Sequence, residues 1–106
     1  MSMGCVIVRR DFAQANPEKV AAFMEAYAKS VEFVNGDVEA ASQLVEKHGI
    51  MPKAAVAKKA IPNCHIVFID GEEMKAQILP FFEILFAANP ASVGGALPAE
   101  DFYYVK

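Results

Sequence analysis

Two cysteines and two histidines are the residues of this chain best suited to chemistry. Cys64 and His65 are adjacent, a pairing that suggests a nucleophile beside its base. Adjacent side chains on the strand predicted here point to opposite faces, so these two would not meet, and no third orienting residue accompanies them. His48 and His65 lack the convergent three or four ligands that a metal site needs. We therefore predict no catalytic residue, no metal site and no cofactor.

Cys5 and Cys64 leave three alternatives open: one disulfide, two free thiols or no functional role. Each lies in an apolar, strand-like stretch, where a buried thiol that acts as a small hydrophobe is the commonest interpretation. Two cysteines do not decide the redox compartment.

Two further short motifs have ordinary explanations. Gly94-Gly95 lacks the spacing of a phosphate-binding loop. Arg9-Arg10 is suited to meeting an anion, but the solvated end of a strand is the commoner role for such a pair. The net charge is −3 and the basic residues are scattered, which argues against nucleic-acid binding.

Apolar periodicity and turn residues predict the elements that position these groups. Short β-branched runs at residues 4–9 and 64–69 predict two strands, and the continuous apolar character of the first suits a strand that is covered on both faces. Four helix starts are predicted from capping residues and prolines: Asn16-Pro17, Asp37, Pro52 and Asp70. The first of these helices carries one apolar stripe: Val20, Phe23, Met24, Tyr27, Val31 and Val34. Pro80 is expected to kink or split the last helix.

The predicted fold class is therefore α/β, with two short strands and about four helices packed on them. Two strands do not form a stable sheet alone. Either the chain dimerises across that sheet, or a larger α/β domain supplies the other strands. The last helix is apolar nearly all round, so its face is expected to be core or, as a second interpretation, an interface. The residues of that face are Ile78, Phe82, Leu85 and Phe86.

Four stretches together resemble the C-terminal part of ABC-transporter substrate-binding proteins. They are MGCVIVR at 3–9 followed by Asp11-Phe12, NPEKV at 16–20, AIPNCHIVF at 60–68, and NPASVGG at 89–95 with the aromatic residues at 102–104. The family is the nitrate/sulfonate/taurine and thiamine-precursor branch, which has the type II periplasmic-binding fold. The resemblance covers essentially the whole chain but only the last part of a family member.

This resemblance implies that residues 1–106 are a single fragment, the C-terminal segment of the first of two α/β lobes. It implies a non-catalytic receptor that binds a small-molecule solute between its lobes and delivers it to an ABC permease. The parent would act in the periplasm or at the outer face of the cell membrane, although this chain shows no signal peptide. Met3 and Gly4, at the expected re-entry from the hinge, are the best candidates for a position near the cleft edge. Most ligand contacts would come from other sequence, so the solute is not specified.

The alternative is a small stand-alone α/β protein that self-associates. It would form a homodimer through its free sheet edges and the Phe-rich last helix, since unpaired strand edges invite pairing with another chain.

Overall fold

The computed structural model describes residues 3–105, and the regular secondary structure of these residues is helical. The five α-helices are α1 (Arg10–Ala15), α2 (Pro17–Gly36), α3 (Val38–Lys47), α4 (Ala54–Ala60) and α5 (Gly71–Ala88). Three short 3-10 turns follow α4 and α5: Ile61–Asn63, Pro90–Val93 and Glu100–Phe102. The chain divides into two compact units. Residues 8–68 form the α1–α4 unit, and the described parts of 1–7 and 69–106 form the α5 unit.

The predicted α/β fold class is wrong, because residues 3–105 contain no strand. Residues 4–9 and 65–70 have no regular secondary structure. His65 has a φ of +50°, in the left-handed region, and this interrupts the second predicted strand near its start. The first run fails because a strand satisfies its backbone groups through a neighbouring strand, and the described chain supplies none.

The predicted start of α2 at Asn16-Pro17 is confirmed. Pro17 lies in its first turn, where its missing N–H removes a donor that would be unpaired anyway. Asn16 precedes it, but its side chain does not cap the helix; its Nδ2 donates to the Phe12 carbonyl at 3.2 Å. Val20 and Val31 are buried on one face, as the apolar stripe predicts.

The predicted cap of α3 is also confirmed. The Asp37 carboxylate accepts a hydrogen bond from the Ala40 N–H at 3.0 Å, which satisfies one of the unpaired donors of the first turn. Beyond the last turn, Gly49 has a φ of +69°, a conformation that costs glycine little. Its N–H donates to the Glu46 carbonyl at 3.0 Å and closes the helix.

The core of the α1–α4 unit centres on two alanines. Ala41 on α3 and Ala57 on α4 are 2% and 1% exposed, and Ile61 completes the buried cluster. Small side chains allow two helices to approach closely. Larger apolar side chains line the edge of this cluster: Val34, Val38, Val45, Met51 and Ile66. Beside it, the buried Ser42 hydroxyl donates to the Glu39 carbonyl at 2.7 Å, so this polar group is satisfied.

An ion pair joins the same two helices at the surface. Lys58 on α4 pairs with Glu39 on α3, and both side chains are exposed. The hydrogen bond from Lys58, and then its positive charge, lowers the pKa of Glu39 below its ordinary value of 4.5. Exposed pairs of this kind contribute little to stability, because solvent screens them.

Helix α5 is continuous through Pro80, so the predicted split does not occur. Asp70 precedes the helix as predicted, but its side chain makes no capping hydrogen bond. Glu72 and Glu73 in the first turn complement the positive end of the helix dipole. An internal proline costs about 3 kcal/mol. Partly buried apolar residues on both sides of Pro80 offset this cost, since each such side chain contributes on the order of 1 kcal/mol.

The alanine contact predicts a sharp size limit on α4. We expect Ala57→Leu to lower the free energy of unfolding by about 1–3 kcal/mol, because added methylenes in a filled core force neighbours out of place. Ala55→Leu is the matched control: it makes the same change on an exposed position of α4, and we expect it to stay within about 0.5 kcal/mol. Urea denaturation followed by far-UV circular dichroism measures both. Equal effects of the two variants would contradict a close α3–α4 contact.

The lowered pKa of Glu39 predicts a pH-dependent contribution to stability. A carboxylate with a depressed folded-state pKa stabilises the fold above its ordinary value of 4.5 and loses that contribution as the pH falls through the folded-state value. We therefore expect Glu39→Gln to be slightly less stable than the wild type at neutral pH and equal to it well below pH 4.5. A double-mutant cycle with Lys58→Met isolates the pair. If Glu39→Gln remains less stable than the wild type well below pH 4.5, the loss comes from packing and not from the ion pair.

Candidate interaction surface

The first described residues form a continuous exposed apolar run. Met3 is 94% exposed and Ile7 84%, and the valines at positions 6 and 8 are exposed as well. A Cβ atom added at Gly4 would have no neighbouring atom within 4 Å. None of these residues belongs to a helix or strand. The position of Met3 and Gly4 beside a ligand cleft stays a prediction, while their exposure makes this run a candidate contact surface.

The predicted interface residues of α5 lie on the partly buried side of that helix. All four, Ile78, Phe82, Leu85 and Phe86, are partly buried. Phe82 meets the ring of Phe102 edge-on, with the ring centroids 6.3 Å apart. On the face of α5 that was predicted to be an interface, Phe82 therefore already contacts a residue of the same unit.

The exposed side of α5 carries a different apolar residue. Ile84 lies two positions after Phe82, and the 3.6-residue period places it on nearly the opposite side of the helix. Its side chain is 67% exposed, and Pro80 and Ala87 are exposed beside it at helical spacing. If α5 contacts a partner, Ile84 is the large apolar side chain of this helix that is exposed for that contact. It was not among the interface residues predicted from the sequence.

Tyr103 is the one buried residue among the described residues of the α5 unit. It follows the last 3-10 turn, and its ring meets Phe102 at 5.4 Å and 89°. The Lys75 ammonium lies 5.8 Å from the centre of the Tyr103 ring, at the outer limit of a cation–π contact. Lys75 also pairs with Glu100, and this hydrogen bond raises the pKa of Lys75 above 10.5. Together these contacts hold the tail against α5.

The hydroxyl of Tyr103 is buried, and no described group forms a hydrogen bond with it. Burying a polar group without a partner costs about 1–3 kcal/mol. Within residues 3–105 it is the one buried side-chain polar atom without a partner. It therefore contributes no hydrogen bond to the α5 unit.

An aromatic group on the α1–α4 unit was not foreseen from the sequence. Phe23 and Tyr27 stack on α2 with ring centroids 5.9 Å apart, and Tyr27 meets Phe68 edge-on at 5.4 Å. Phe23 and Tyr27 remain exposed, although both belong to the apolar stripe of this helix. Nearby in the same unit, Asn35 Nδ2 donates to the Ile66 carbonyl at 2.9 Å and ties the segment before Phe68 to α2.

The residues suited to chemistry are dispersed in the described chain. Cys5 and Cys64 are free and exposed, so the interpretation that they are buried hydrophobes is wrong. His48 follows the last turn of α3, where a cation-capable residue suits the negative end of the helix. Arg9 pairs with Asp11, and this contact lowers the pKa of Asp11 below 3.8. Residues 3–105 contain no group of three or more histidines, cysteines or carboxylates arranged to hold a metal ion.

Removing the hydroxyl of Tyr103 and removing its whole ring are expected to change stability in different ways. We expect Tyr103→Phe to leave the free energy of unfolding unchanged or to raise it by up to about 1–3 kcal/mol, because the variant removes an unpaired buried group. We expect Tyr103→Ala to cost about 3–5 kcal/mol, because it removes the buried ring. Tyr104→Phe, next to it and partly buried, is the control for loss of a hydroxyl. Clear destabilisation by Tyr103→Phe would mean that the hydroxyl does have a partner.

None of the helices within residues 3–105 combines the length and the apolar character needed to span a membrane. The chain matches no protein family, no curated protein and no solved structure.

Proposed function

We propose that this chain is the C-terminal part of an extracytoplasmic solute-binding protein that delivers a small molecule to an ABC permease. The sequence resemblance suggests this role through the order and spacing of its segments along the whole chain. The observation that carries the proposal is the amount of apolar surface that the described residues leave exposed.

Few apolar side chains are buried within residues 3–105. The six that are buried are Val20, Val31, Ala41, Ala57, Ile61 and Tyr103. Hydrophobic residues nevertheless make up 55% of the chain, and the exposed ones include large side chains in both units. Isolated exposed apolar residues are normal, but an uninterrupted run such as residues 3–8 is typical of a surface that meets other polypeptide.

The remainder of a two-lobed receptor is the partner that we propose for this surface. In such a receptor the lobes close around the solute by a hinge motion, and a few placed polar groups in the cleft give specificity. The parent would act in the periplasm or on the outer face of the cell membrane. It would bind and release its solute without chemical change. Met3 and Gly4 are then the residues of this chain nearest the cleft.

The proposal predicts that this chain alone does not bind the solutes of the family. We expect isothermal titration calorimetry with nitrate, taurine, bicarbonate and a thiamine-precursor pyrimidine to give no saturable heat, because most of the ligand contacts come from other sequence. Saturable micromolar binding of any of these solutes to the 106-residue chain would contradict the proposal.

A longer protein is the control for that measurement. The coding sequence that precedes Gly4 in the source genome is first read for a continuous frame through a two-lobed receptor. That receptor is then expressed, and we expect it to bind one of the solutes. If the genome encodes no such receptor around these residues, or if the receptor binds none of the panel, the proposed role loses its support.

The second candidate function is self-association of this chain as a helical protein. Two exposed residues favour it: Ile7 in the N-terminal run and Ile84 on α5. Exchange of an identical structural element between two copies of a chain is a common route to dimers. The candidate retains the homodimer predicted above but not its sheet edges, which the described residues do not form.

Self-association predicts a dimer at micromolar concentration that a single charge disrupts. We expect Ile7→Asp or Ile84→Asp to give a monomer with unchanged helicity, because the carboxylate would be desolvated at the interface. Ala55→Asp places the same charge on another exposed position and is expected to leave the dimer intact. Light scattering measures the mass of each variant. A monomeric wild type would remove this candidate.

A further inference from the structure

We draw no further inference here: the strongest candidate, the exposed apolar run of residues 3–8 before α1, is an unpartnered surface, and nothing in the structure shows what covers it.

Discussion

The packing of α3 against α4 centres on two small buried side chains, Ala41 and Ala57. Ala41 and Ala57 have almost no exposed surface, and every larger side chain of that core lies around them. Alanine side chains bury little area of their own, so their importance here lies in their small size, which allows α3 and α4 to pack closely. Ile61, directly after α4, is buried in the same cluster, and Lys58 on α4 pairs with Glu39 on α3 at the surface.

The two units are stabilised by different means. The α1–α4 unit buries a small aliphatic cluster and satisfies its one buried serine through a backbone carbonyl. The α5 unit is stabilised by aromatic contacts and by Lys75, which pairs with a carboxylate and also lies over an aromatic ring. Its single buried residue among those described is Tyr103, whose hydroxyl forms no hydrogen bond with any of them. Neither is a large core, which is consistent with the limited surface that chains of this size can bury.

Local signals in the sequence predicted where α2 and α3 begin, but they did not predict α1. Features that depend on contacts between distant parts of the chain could not be predicted from local signals. Pro17, Asp37 and Gly49 act within one turn of their own position, so the boundaries of α2 and α3 follow from residue type alone. A strand depends on a partner elsewhere, and β-branched composition at residues 4–9 does not supply one. Helical period likewise gives the faces of α5, but only the position of Phe102 reveals that the face of Phe82 is occupied. Cys5 and Cys64 were predicted to be buried because they lie in the two runs predicted to be strands. Since neither run forms a strand, both thiols are exposed.

The composition of the α5 unit has a consequence for the order in which the molecule can form during synthesis. The α1–α4 unit is a continuous stretch of chain, whereas the α5 unit combines residues from near both ends of the described sequence. Its one buried residue, Tyr103, lies 35 residues after the end of the α1–α4 unit. At about 5–20 residues per second, the ribosome adds that residue on the order of a few seconds after it has completed the α1–α4 unit. The α1–α4 unit can therefore fold before the α5 unit has its buried ring, because all of its own contacts come from residues that precede α5.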